Sequence, residues 1–409
     1  MPGTHIMVIH RWRDSYARYA DYLDHSRFTV SYITTGLGRQ SVPPAAAGVV
    51  TVAATDDLAQ IRDAAARLAA RLGPPRCLVA LNEGDLDTAA LLRAELGCDG
   101  LLPGELARFR DKLAMAQAIA KAGIAIPAFA DAPDRAAVTR FAARHGWPVI
   151  VKPRRGTASR GVLRLDSPAG LDAMDEMPPE PRLVQAYCGD PIYHIDGVWT
   201  GSRLGPWRAS RYVNPPALFT HGDVLGSAEV DDQDVLAALE PFTAAVGAAL
   251  SDRPWVFHLE AFVGSAPGGG QRVTFLEVGY RCGGADIAFV WREVHGVDLM
   301  GAAMAVALGR QPAAGPIRAP RVAGWLLLPT PVPAPCRVTA VDVPGTGEGG
   351  PYAVAVPAVG DVIPATGGYE HVGARFRFSG DSTQDVEKAI ISTASRTRLD
   401  CVPELTQEG

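Results

Sequence analysis

Glu277 lies in the apolar run Phe275-Leu276-Glu277-Val278 and is followed by Gly279, Tyr280, Arg281 and the pair Gly283-Gly284. Upstream, Val256-Phe257-His258-Leu259-Glu260-Ala261-Phe262 carries a second acid near its end. The stretch between them, Gly264 to Gly270, is rich in glycine and reads as a turn. A hairpin would bring Glu260 and Glu277 side by side. Adjacent carboxylates repel, so such a pair calls for a cation, and hard divalent ions take oxygen ligands.

A second stretch could hold an anion. Pro148-Val149-Ile150-Val151-Lys152-Pro153 reads as a strand ending in a lysine, followed by Arg154-Arg155-Gly156-Thr157-Ala158-Ser159-Arg160-Gly161 and the apolar Val162 and Leu163. Glycines let backbone N–H groups turn toward an anion, and the hydroxyls and arginines add donors. It is not a Walker A loop, because Gly161 precedes Val-Leu and a strand follows instead of a helix. An ordinary hairpin with a basic turn would share this pattern.

The remaining elements must carry these groups. At 409 residues with net charge −5, the chain is expected to hold two to four structural units and offers no reason to propose nucleic acid or an anionic membrane as a partner. No apolar run reaches about 18 residues, and no signal peptide is visible. Six cysteines without a CxxC pair argue against zinc or a disulfide framework and for a reducing cytoplasm. Strands at Ile6 to Ile9, Thr29 to Thr34, Gly48 to Ala53 and Cys77 to Leu81 alternate with helices at Asp56 to Leu72 and Leu86 to Leu96, which implies a small parallel α/β unit. Thr55 or Asp56 is the expected cap of the first helix. Without GxGxxG, dinucleotide binding is not supported. Arg110 to Ala122, Asp134 to His145, Gln233 to Leu250 and Asp298 to Leu308 read as helices. Arg182 to Tyr187 and Ile192 to Trp199 read as strands. Trp199 to Ala228 reads as a long irregular segment holding Arg203, Arg208 and Arg211. From Val322 on, strands at Val322 to Leu328, Arg337 to Val343, Tyr352 to Val356 and Ala374 to Gly380 and a helix at Thr383 to Thr393 suggest an α+β block, frayed after about Asp400.

This ordered set of motifs resembles the ATP-grasp superfamily, and within it the carboxylate–amine ligases, especially L-amino-acid ligases of the bacilysin-synthetase type. Asp111-Lys112, Gly123-Ile124-Ala125-Ile126-Pro127 and Gly368-Tyr369-Glu370-His371-Val372-Gly373 are similar to that branch. The implied fold class is α/β plus α+β. Residues 1–108 would be an N-terminal parallel α/β unit, 109–186 a small lid, 187–318 the large catalytic unit, and 319–409 a C-terminal α+β unit. Implied ligands are ATP and Mg2+, with Mn2+ as its substitute, and a small-molecule acid and amine as substrates. The family often dimerises, which leaves a homodimer open.

Roles follow position by position from the resemblance. Lys112 and Lys152 would contact nucleotide phosphates. Gly156, Thr157, Ser159 and Gly161 would fold over the β- and γ-phosphates. Gln185 would meet the adenine amino group, with the backbone of Ala186, Tyr187 and Cys188 along the ring edge and Asp196 near the ribose. Glu260 and Glu277 would hold the metal, and Arg281 would face the transferred phosphoryl group. Glu83, Arg208, His258, Gly283 and Gly284 are candidates for substrate contact, with Glu83 or His258 as proton acceptor for the amine. Arg154 to Gly161 and Trp199 to Ala228 are the candidate lids. Three positions depart from the family pattern: Gln185 replaces a hinge glutamate, Ile192 an acid, and Gly279 a metal-binding asparagine. The implied reaction forms an acyl-phosphate and then an amide. Another ligase or a carboxylase of the superfamily, or a nucleotide-binding module without turnover, are the rival readings.

Overall fold

The computed structural model describes residues 3–12, 16–157, 160–173, 178–312, 315, 317, 321–347, 349–365 and 372–404. Among these, four sheets form. The first is parallel, in the order β3-β2-β1-β4, from β1 (His5–His10), β2 (Thr29–Thr35), β3 (Gly48–Val52) and β4 (Cys77–Ala80). β1 is buried throughout, as expected of a parallel strand covered on both faces. Its covering helix Leu58–Leu72 turns Ile61, Ala64, Ala65 and Leu68 inward. Asp57 caps that helix, not Thr55 or Asp56, because its carboxylate accepts from the amides of Ala59 and Gln60.

The second sheet is antiparallel, in the order β5-β8-β6-β7: β5 (Phe129–Asp131), β6 (Val149–Pro153), β7 (Leu163–Leu165) and β8 (Arg182–Ala186). The helix expected from Arg110 to Ala122 is found as Lys112–Lys121, and a separate helix not expected from the sequence, Pro103–Arg110, precedes it and ends at Asp111, which is extended (φ −96°, ψ 110°). The Asp111 carboxylate caps the second helix through the amides of Leu113 and Ala114.

The large sheet runs β13-β12-β9-β10-β11-β14-β18-β16 and is antiparallel. Its strands are β9 (Ile192–Thr200), β10 (Leu204–Tyr212), β11 (Leu225–Glu229), β12 (Pro254–Ser265), β13 (Gln271–Gly279), β14 (Val322–Leu328), β16 (Ala353–Ala355) and β18 (Ala374–Gly380). The segment read as irregular, Trp199 to Ala228, is therefore half strand, in the end of β9, all of β10 and most of β11. Pro206, which masks the strand pattern of β10, falls where the register with β9 shifts between Leu204 and Trp207. The sheet continues across the expected boundary at 318/319. The fourth sheet, β17-β15-β19, joins β15 (Cys336–Asp342), β17 (Val362–Ile363) and β19 (Arg398–Pro403). The chain end expected to fray thus pairs with β15 as far as Pro403.

Candidate active site

The hairpin β12–β13 sets Glu260 directly opposite Glu277 and His258 opposite Gly279. A register shift follows Glu260, with Leu276 as the extra residue, so the acids sit beside a bulge, which re-aims side chains. β9 adds His194 opposite Glu260 and Asp196 opposite His258, and β10 adds Ser210 and Arg208 beyond them. Residues opposite one another share a face, so one face of the sheet gathers these polar groups.

Lys112 links the sheets. Its Nζ lies 3.2 Å from Glu277 Oε2 and donates to the Gly156 carbonyl at 3.1 Å. Lys152, buried at the end of β6, feels both Glu277 and Glu260. Burial pushes its pKa down to about 8, against the two acids and with Lys112 adding repulsion. Burial works to raise the Glu277 pKa, but Lys112, Lys152 and Arg281 together hold it well below the usual carboxylate range. Glu260 Oε1 accepts from the Tyr212 hydroxyl at 2.8 Å.

Arg281 reaches the N-terminal unit: its Nε donates to Glu83 Oε2 and its Nη1 to the Cys282 carbonyl at 3.1 Å. Glu83 Oε1 accepts from Arg110 at 2.6 Å. Burial would raise the Glu83 pKa, but the two guanidiniums lower it. A carboxylate so held is a poor proton acceptor, and here Glu83 is paired with Arg281 and Arg110. Burial opposes a charge on His258, yet Asp196 and Glu260 raise its pKa to about 9, which favours the imidazolium at neutral pH.

Asp196 does not line a nucleotide cleft. It is 1% exposed, and its oxygens accept from Nδ1 of His194 at 2.6 Å and Nδ1 of His258 at 2.9 Å. Its carboxylate is taken up by these two imidazoles, where contact near the ribose was expected of it. His194, Asp196 and His258 have metal-ligand chemistry, but they satisfy one another. Gly283 closes over them: a Cβ there would come within 2.4 Å of Asp196 Oδ1 and 2.9 Å of His258 Nδ1. Gly284 accepts the Ile287 amide at 3.2 Å, opening the helical turns through His295 that the sequence reading missed. Arg208 is half-buried opposite Asp196.

In the basic loop, Thr157 Oγ1 accepts from Arg160 at 3.2 Å, and the Gly161 carbonyl from Arg182 at 2.9 Å. Gly161 adopts φ +69°, which favours glycine. Ser159 and Gly368 to His371 lie outside the described residues. Gln185 is buried mid-sheet between Phe129 and Ile150. The amides of Ala186 and Tyr187 are committed to the carbonyls of Ala128 and Pro148, so these two N–H groups cannot read a ring edge. Tyr187 is exposed, with the Arg164 guanidinium 4.3 Å over its ring, and Cys188 Sγ donates to Asp190. Tyr212, His194, Arg110 and Asp87 were missed. The period-2 spacing of Arg208, Ser210 and Tyr212 was the signal for β10.

The donor set at Glu260 and Glu277 is two carboxylates flanked by Lys112 and Lys152, with His258 Nε2 3.8 Å from Glu260 Oε1. That fits a hard divalent ion held by oxygen.

No family model matches the chain. A curated D-alanine–D-alanine ligase of Streptomyces griseus is 47% identical over 99 residues, 22% of this chain, and the match spans only 23% of that protein. The L-amino acid ligase of Bacillus licheniformis superposes with TM-score 0.69 at 15% identity, over 99% of this chain and 100% of its own. The biotin carboxylase domain of Hydrogenobacter thermophilus 2-oxoglutarate carboxylase, solved as a dimer with MgADP, ADP and bicarbonate, gives TM-score 0.69 at 15% identity, over 98% and 92%. Among the described residues no helix is long and apolar enough to cross a membrane. Sheet order, paired acids and these likenesses agree: the chain has the ATP-grasp fold.

Proposed function

We propose that the protein is an ATP-dependent carboxylate–amine ligase acting on small molecules, with an amino acid or related acid as the acyl donor. The observation that carries this reading is the convergence of Glu260, Glu277, Lys112, Lys152 and Arg281 at one end of the β12–β13 hairpin. Glu260 and Glu277 would hold Mg2+, which when bound neutralises phosphate charge. Lys112 and Lys152 would bind the phosphate oxygens of ATP, and the loop Gly156 to Gly161 would cover them and exclude water. Phosphoryl transfer is catalysed mainly by positioning and positive charge, which this cluster supplies.

A carboxylate oxygen of the acid attacks the γ-phosphorus, the bond to the β-γ bridging oxygen breaks, and ADP leaves. The acyl-phosphate then takes the amine at its carbonyl carbon. Phosphate departs and the amine proton passes to solvent or phosphate, leaving an amide. Arg281, oriented by Glu83, faces the transferred group and then the oxyanion. The chain would work in the cytoplasm, alone or as a homodimer.

Incubation with Mg-ATP and pooled amino acids, peptides and other acids tests this. Equal amounts of ADP and phosphate are expected with each new amide mass. AMP and pyrophosphate as coupled products would overturn the acyl-phosphate route.

A further inference from the structure

Five side chains of alternating charge run from the basic loop to Arg281. Arg155 Nη1 meets Asp87 Oδ1, and Asp87 Oδ2 lies 3.1 Å from Arg110 Nε. Arg110 Nη1 lies 2.6 Å from Glu83 Oε1, and Glu83 Oε2 accepts from Arg281 Nε. Asp87 sits in the first turn of the helix Leu86–Leu96, so its position is fixed by a rigid element. Exposure is lowest at the middle of the series, 7% for Arg110, with 16% for Glu83 and 21% for Arg281 on the inner side and 34% for Asp87 and 50% for Arg155 on the outer side. The inner pair is dry, and loss of either partner would strand a buried charge. The outer pair is wet, weak and reversible, as a loop that opens and closes for substrate requires. Arg154, next in the chain, is anchored separately on Asp111.

We propose that Asp87 is a positioning residue, which latches the loop to the N-terminal unit through Arg155 and, through Arg110 and Glu83, couples loop closure to the orientation of Arg281. The purpose of the latch rests on the ligase reading above; its existence does not. With the loop closed, Asp87 is shared between two guanidiniums. With it open, Asp87 serves Arg110 alone, and the Arg110–Glu83–Arg281 series loses its outer restraint.

Trypsin reads the latch directly, because Arg154, Arg155 and Arg160 are cleavage sites within the loop. In the nucleotide-free full chain, loop cleavage should be slow at about 0.02 M salt and about two- to fivefold faster at about 0.5 M, where exposed charges are screened. Asp87→Asn should be cleaved about two- to fivefold faster at low salt and lose the salt response. Arg155→Gln should show the same loosening at Arg154 and Arg160. Wild-type cleavage rates in both variants, with unchanged circular dichroism, overturn the latch. In turnover, Asp87→Asn should raise KM for MgATP and also lower kcat, and Asp87→Glu should restore both. A change in KM alone would overturn the coupling to Arg281. Loosened proteolysis in a chain that never turns over ATP would retain the latch and sink the ligase reading.

Discussion

Glu277→Ala and Arg281→Ala are each expected to abolish ADP formation while leaving the fold intact. The losses differ in origin. Glu277 is the counter-charge that lets Lys112 and Lys152 lie near each other; without it, burial and mutual repulsion favour the neutral form of Lys152, which no longer attracts phosphate. It also removes one of the two carboxylates proposed for the metal. Arg281→Ala removes the cation proposed to face the transferred group and leaves Glu83 to Arg110 alone. Removal of one charge-stabilising donor from such a site costs about a hundred- to a thousandfold in rate, and Glu277 serves three cations at once. Initial rates of ADP release under saturating Mg-ATP, with circular dichroism as the folding control, decide the matter. Near-normal turnover in both variants would sink the site assignment.

The acid pair was legible in the sequence because it rests on local signals: two apolar runs, one glycine-rich turn and a register that follows from them. Gly268, Gly269 and Gly270 do adopt φ of 99°, 98° and 82° in that turn. The lysine at the end of β6 was local too, whereas the cap of the helix Leu58–Leu72 fell on Asp57, just beyond the expected Thr55 or Asp56. The network beneath the acids was not legible. Asp196 meets His258 because β9 and β12 are neighbours, and Tyr212 reaches Glu260 across β9 from β10; neighbour order in an antiparallel sheet is set by the whole chain. The arginines of β10 looked like a solvated loop because Pro206 and a register shift break the alternation.

Gly279 shows how a single position changes meaning once side-chain paths are known. From the sequence it is a missing asparagine. In the structure, a Cβ at 279 would lie 3.3 Å from Arg281 Cγ and 3.5 Å from its Nε, because the Arg281 stem passes that position on its way to Glu83. A larger residue there would crowd the arginine. The glycine thus goes with the Arg281–Glu83 contact, and the carboxylates of Glu260 and Glu277 remain as the facing acid pair for a metal at this edge.

Asp196→Ala is expected to destabilise the protein by about 3–5 kcal/mol near pH 6, the cost of leaving a buried charge without its partner. The Asp196 carboxylate is shared between His194 and His258, and Gly283 packs over it, so water has little access to replace it. The pH dependence gives a sharper test. The His258 pKa of about 9 is above its ordinary 6.5, so its contribution is fully present below about 6.5 and is lost as pH rises through about 9. The Asp196 pKa is held below the ordinary carboxylate range by His258 and His194 in spite of burial, so its contribution is present at neutral pH and lost only in strong acid. Wild-type stability in urea should therefore fall between about pH 6.5 and 9. In Asp196→Ala, His258 has lost the anion that raises its pKa and burial favours the neutral ring, so this decline should flatten from a lower starting value. Asp196→Asn, which keeps the shape without the charge, should flatten it as well. An unchanged slope in both variants would show that His258 takes its charge from elsewhere and that Asp196 is not the floor of the site.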